Sequence, residues 1–266
     1  MQGSRNGAPD EVSKLTKKLK NNKSADPQNM VAELVKYGPK ELHKKIAEVL
    51  QSTSKGNPFP VVLRRGKLIP LPKPPKKDEN VNVRPIILLS ILRKILSMSM
   101  IERCWTRLKS QIPIDQGAYQ PERSTTEQVF CMKMLAEKAI TTSDYTIYIL
   151  MLDMSKAFDS IDRKKLMSYL REILTQSELY MMNLLINDVV LNVVVGKEVG
   201  EEILTNIGSC QGDCLSAFFF ILYLARTIKP IPKMIAREDY DRPPMVCIGL
   251  GPKQGQEQCG NRSEIF

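Results

Sequence analysis

The chain has 266 residues, 42% of them hydrophobic and 26% charged, and a formal net charge of +10. No apolar stretch reaches the roughly 18 residues of a membrane span, and the opening MQGSRNGAPD has no hydrophobic core for a signal peptide, so an intracellular chain is expected. Six cysteines in a chain this long, without secretory context, point to reduced thiols rather than a disulfide framework. The charge is uneven: residues 1–110 carry 23 Lys or Arg against 9 Asp or Glu, the remainder 16 against 20, so a basic front of about +14 precedes a half of about −4. A solvated lysine-rich surface would give that pattern; basic residues beside prolines and strand runs point instead to a nucleic-acid footprint.

In chain order, Asp10 to Asn22 and Gln28 to Leu50 read as polar and amphipathic helices, with Gly38-Pro39 breaking the second. His43 lies in the amphipathic pattern KELHKKIAEVL as a surface or boundary residue without assigned chemistry. Val61 to Leu71 and Val81 to Leu89 then read as two strands of a hairpin joined by PKPPKKDEN, whose inner positions would point basic side chains along one face. Ser90 to Lys109 and Thr125 to Ile140 have helical spacing, with Ser124 or Thr125 as caps and Glu127 in the first turn. Asp162 to Leu174 forms an amphipathic helix with Leu166, Leu170 and Leu174 on one face. Val189 to Val195 and Glu201 to Ile207 read as a strand pair around Gly196.

Two blocks about fifty-eight residues apart carry the chemistry. In YILMLDMSKAFD, the apolar run from Ile147 to Leu152 ends in a carboxylate, which reads as a buried strand delivering Asp153 to its tip. In GSCQGDCLSAFFFILYL, a small polar loop of Gly208, Ser209, Gln211 and Gly212 precedes a solid apolar run, so backbone could approach a ligand before the chain enters a buried helix. Cys210 and Cys214, with Cys247 and Cys259, have irregular spacing and a single histidine in the chain, which argues against a zinc site.

This arrangement resembles the reverse transcriptases, and among them the non-LTR retrotransposon polymerases, in which DxxxAFD and QGxxLSP are catalytic blocks. LIPLPKP at Leu68 to Pro74 and NVRPIILLSILRKI at Asn82 to Ile95 are similar to the fingers blocks, QGAYQPERSTTEQVF to the segment before the first catalytic block, and MVAELVKYG to the leader. The likeness runs from about residue 25 to about residue 240 in matching order. It implies an α+β fold: right-hand polymerase fingers and a partial palm with an antiparallel sheet, the thumb absent. The corresponding ranges are an N-terminal helical leader over 1–60, fingers over 61–143, partial palm over 144–240 and an irregular non-family tail over 241–266.

The resemblance also assigns roles. A 3′-hydroxyl attacks the α-phosphate of a nucleotide while two divalent ions about 3.5–4 Å apart stabilise the attacking and leaving oxygens. Asp153 and the backbone carbonyl of Met154 would be ligands for Mg²⁺, with Mn²⁺ as substitute. Arg84 would contact the incoming triphosphate through its planar guanidinium, with Lys73 as a second cation whose other reading is a solvated turn lysine. Phe158 would lie under the nucleotide sugar and exclude a 2′-hydroxyl; otherwise it is a core aromatic at a strand-to-helix turn. Gln211 and Gly212 would lie against nucleotide and template. Asp159 reads as a residue at the start of the following helix rather than a metal ligand.

Family members follow the second block with a hairpin bearing two adjacent aspartates, and this sequence contains no such pair. The tail from Asp241 is rich in Gly, Pro and Gln, so a truncated or frame-altered retroelement copy is expected. Three readings follow: a reverse transcriptase domain acting on an RNA template, a DNA primer and deoxynucleoside triphosphates; a catalytically inactive nucleic-acid-binding remnant; or an unfolded relic.

Overall fold

The computed structural model describes residues 9–72, 83–114, 116–142, 149, 154 and 156–228. They belong to two units, one within Met1–Ile112 and Lys156–Ile228 and the other within Pro113–Ser155 and Lys229–Phe266.

The larger unit opens with α1 (Pro9–Lys17), α2 (Ala32–Lys36) and α3 (Lys40–Ser54). Pro39 precedes the first turn of α3, where its missing N–H costs nothing, and the stripe His43, Ile46, Ala47 and Leu50 is buried. His43 is therefore an interior residue and not the surface or boundary position its sequence context suggested; its Nε2 lies 2.8 Å from the Val35 carbonyl. Asp26, also buried, accepts from Gln28 N and Met30 N at 2.9 Å and from Ile91 N at 3.1 Å, tying the leader segment to a helix start 65 residues later.

Val61–Leu63 is a 3₁₀ turn rather than the beginning of a strand, because Pro60 directs the chain into a turn closed by Leu63 N donating to Pro60 O. Strand β1 (Arg65–Pro72) then pairs antiparallel with β2 (Val83–Leu89), from Gly66 opposite Leu89 to Pro72 opposite Val83. The helix α4 (Ile91–Lys109) follows directly. After α6 (Arg163–Arg171) and α7 (Gln176–Ile186), with α5 (Thr125–Thr141) in the other unit between them and α4, the chain makes a second antiparallel hairpin, β3 (Val189–Val195) and β4 (Glu198–Thr205). That second strand begins three residues earlier than the sequence pattern indicated.

The sheet order is β2-β1-β3-β4, and β1 runs parallel to β3 from Arg65 opposite Val190 to Leu68 opposite Val193. The β3–β4 pair of the partial-palm range is antiparallel as expected, and the two local hairpins join through a parallel pair more than 120 residues apart in sequence, a register that no local turn signal encodes. Ile87, Val189, Leu191 and Cys210 form its buried cluster, with Leu68 and Leu89 against them. The described architecture is thus mixed α and β around a four-stranded sheet. The apolar helix α8 (Cys214–Ile228) completes this unit and buries nine of its residues. No helix among the described residues is long and apolar enough to cross a membrane.

In the smaller unit, Ser124 caps α5 by accepting from Glu127 N, as its sequence indicated. No residue of α5 is buried.

Candidate functional site

The loop Gly208–Asp213 runs from the end of the β3–β4 hairpin into α8, and backbone hydrogen bonds hold it on both sides. Gly208 N donates to Ile161 O and Ser209 N to Phe158 O, each at 2.9 Å, so the end of the first sequence block is bonded directly to the second. On the other side, Ile87 N donates to Gln211 O at 2.7 Å, placing the loop along the outer edge of β2. Gly208 has φ 74° and Gly212 φ 128°, backbone that side-chain-bearing residues rarely adopt. A Cβ on Gly208 would come within 2.6 Å of Asp159 O, and one on Gly212 would overlap Ile87 O. Glycine is thus required at both positions by close backbone approach.

Two buried arginines grip the loop from the interior. Arg163, the first residue of α6, donates to Gly208 O at 2.8 Å, Thr205 O at 2.7 Å, and Thr205 Oγ1 and Ile207 O at 3.0 Å. Burial lowers its pKa from the ordinary arginine value, and a guanidinium remains a cation there. Arg93 from α4 donates to Asp213 Oδ2 at 3.1 Å and Leu63 O at 3.0 Å, and also to Leu185 O. The two side chains of this ion pair are 2% and 4% exposed. Asp213 uses its other oxygen, Oδ1, to accept from Leu215 N at 3.1 Å in the first turn of α8.

Serine and cysteine complete the loop's interior. Ser209 Oγ donates to Ser216 Oγ at 2.8 Å, and Ser216 Oγ to Cys210 O. Burial pushes the Cys210 thiol up and the Cys214 thiol up to about 12, so both are protonated at neutral pH.

The structure brings four of the singled-out residues together. Phe158 is half-buried and packs on Phe220 with ring centroids 5.0 Å apart. Gln211 Nε2 lies 3.5 Å from both carboxylate oxygens of Asp159, and Gly212 follows it on the surface. Asp159 does not begin the next helix: Asp162 caps α6 by accepting from Lys164 N and Lys165 N, while Asp159 sits in the preceding turn beside Gln211. Arg84 is exposed on β2, three residues before the Ile87 that holds the loop. Of the basic residues near the start of the hairpin, Arg65 is paired with Glu202 at 2.8 Å and Arg64 lies 3.6 Å from Asp188, so these do not form one free basic face.

Asp153 and Lys73 lie outside the described residues, as do Cys247, Cys259 and the tail; Met154 is exposed in the smaller unit. Arg93, Arg163 and Asp213 were not singled out from the sequence. Arg93 did leave a trace there: it stands within the helical run ILRKIL, among residues that bury on either side of it.

The sequence pattern of the family described as reverse transcriptase (RNA-dependent DNA polymerase) matches residues 72–246. The match includes β2, the Asp153 block and the Gly208–Asp213 loop. The chain is also 30% identical over 162 residues to the Transposon TX1 uncharacterized 149 kDa protein of Xenopus laevis, an overlap covering 61% of this chain and 12% of that protein.

Proposed function

The chain belongs to the reverse transcriptase family, and on that premise we propose that it carries the nucleotide-facing part of a retroelement RNA-directed DNA polymerase. The observation that supports this reading best is the loop Gly208–Asp213, fixed between β2 and the Phe158–Ile161 turn, with two close-approach glycines and Gln211 beside Arg84's strand. Residues 1–60 are the leader, 61–143 fingers and 144–240 part of the palm, with the family match running to residue 246. The sheet joins hairpins from both the second and third ranges, which supports treating those hairpins as one platform.

In this reading Arg84 binds the triphosphate oxygens of an incoming deoxynucleoside triphosphate, with Lys73 as a further cation. Gln211 and Gly212 lie against the nucleotide and the template, and the half-buried Phe158 ring, fixed by Phe220, blocks a 2′-hydroxyl. RNA template and DNA primer follow the basic front half, in an intracellular setting. Family chemistry draws on divalent cations, which would stabilise the attacking and leaving oxygens. Among the described residues there is no group of three His, Cys, Asp or Glu placed to hold a metal, and Asp153 lies outside them. Asp153 with the Met154 carbonyl is the remaining candidate for Mg²⁺ or Mn²⁺, and one carboxylate makes a weak site.

Binding rather than extension is therefore the expected behaviour of this chain. Fluorescence anisotropy with an RNA template annealed to a DNA primer should show an affinity that falls by about tenfold or more between roughly 50 and 200 mM salt and varies little with sequence. Salt-independent affinity, or no binding in low salt, would remove nucleic acid from the account. Primer extension that Asp153→Ala abolishes would show instead that the carboxylates present suffice, and that the inactive-remnant reading is wrong.

A further inference from the structure

The buried pair Arg93–Asp213 anchors the last residue of the loop and has no part in the chemistry assigned above. Stability alone is a poor reason for it: replacing a buried ion pair by apolar groups is often neutral, whereas leaving one partner alone is strongly destabilising. Its geometry supplies another reason. One guanidinium joins the turn before β1 through Leu63 O, the end of α7 through Leu185 O, and the loop through Asp213. Asp213 in turn starts α8. The loop is thereby attached at two neighbouring points, Gln211 to Ile87 and Asp213 to Arg93, and a slip of one residue would break both.

We infer that Arg93 and Asp213 are positioning residues that fix the register of Gln211–Gly212 against β2, and so against Arg84 on the same strand, for a deoxynucleoside triphosphate. The inference rests on the nucleotide-facing reading of that loop. A planar guanidinium is needed because three acceptors lie on three separate segments; the point charge of a lysine keeps the ion pair and loses the fork.

The full chain carrying R93M together with D213N tests it, since both charges go while an acceptor for the α8 start remains. Three quantities are read beside wild type: the urea midpoint, amide exchange at Ser209 to Asp213 against exchange at Phe218 to Leu222, and the Kd of fluorescent dTTP with Mg²⁺. Cooperative unfolding should persist, loop exchange should quicken by about tenfold or more while α8 keeps its protection, and dTTP affinity should fall by about tenfold. Unchanged loop exchange, acceleration shared equally by α8, or an unchanged Kd in a chain whose loop has loosened would overturn the inference. If wild type binds no dTTP, the functional reading fails, and the exchange data alone decide whether the pair sets the loop. If the double variant does not fold, R93K is read by the same three measurements, with the same exchange contrast expected and the same results against it.

Discussion

On β2, at one end of the sheet, Ile87 is 8% exposed and gives its N–H to the Gly208–Asp213 loop; on β4, at the other end, Val199 is 65% exposed and every residue from Glu198 to Leu204 faces solvent. Both strands are apolar in part and both belong to antiparallel hairpins. The difference lies in what the chain brings to each edge. Along β2 it lays a loop held by Ile87 N on Gln211 O, by Arg163 on Gly208 O and by Arg93 on the Asp213 carboxylate; β4's outer edge pairs with no described strand. Edges left open usually carry charge, and Glu198, Glu201 and Glu202 fit that pattern. Dense satisfaction of backbone groups, more than hydrophobicity, distinguishes the β2 edge from the β4 edge.

Glycine substitutions should separate the two edges most strongly. Gly212→Ala must accommodate a Cβ overlapping Ile87 O at a φ of 128°, and is expected to lower stability in urea by about 3 kcal/mol. Gly200→Ala on β4 places its Cβ 3.5 Å from Val193 O, an ordinary contact, and should change stability by no more than about 0.5 kcal/mol. Equal effects would mean that the loop yields as easily as the open edge.

A smaller effect is expected where α4 and α7, the two helices bridged by Arg93, are joined again by Arg107 and Glu178. Burial raises the Glu178 carboxyl pKa, but hydrogen bonds from Arg107 and from Thr175 of the capping box outweigh it and leave the pKa lowered. A carboxylate with a lowered folded pKa contributes stability above its unfolded value and loses it as pH falls through the folded one. Stability should therefore decline as pH drops below about 4.5, the ordinary value, and Glu178→Gln should remove that part of the acid limb. At neutral pH the same variant should cost no more than about 1 kcal/mol, the pair being partly exposed. An unchanged acid limb would detach Glu178 from the pinned side. The smallest effect belongs to the open edge: Val199→Thr should stay within about 0.5 kcal/mol by urea unfolding.

Local elements were largely legible in the sequence. Periodicity marked α3, α4, α5 and α6, Gly38-Pro39 marked the break before α3, and turn residues marked both hairpins, because each signal is written within a few residues. The parallel joining of β1 to β3 was not legible, since its partners are far apart and nothing in either hairpin names the other. At the site, the block pattern located Phe158, Gln211 and Gly212, and the structure brings them to one place. Arg163 and Arg93 escaped notice because a charged residue near a helix start reads as solvated, and only the fold turns these two inward onto carbonyls. Asp159 was misplaced for a related reason: two aspartates, Asp159 and Asp162, compete for the cap, and hydrogen-bond geometry selects the second.

The most direct test of the claim that the edge of β2 and its loop face a nucleotide is a titration of fluorescent dTTP with Mg²⁺ into the full chain and two variants, Arg84→Ala on β2 and Lys197→Ala in the β3–β4 turn. Saturable binding to the parent chain, weakened by about tenfold in Arg84→Ala and unchanged in Lys197→Ala, is the expected result. Absence of binding, or equal weakening by both variants, would contradict it.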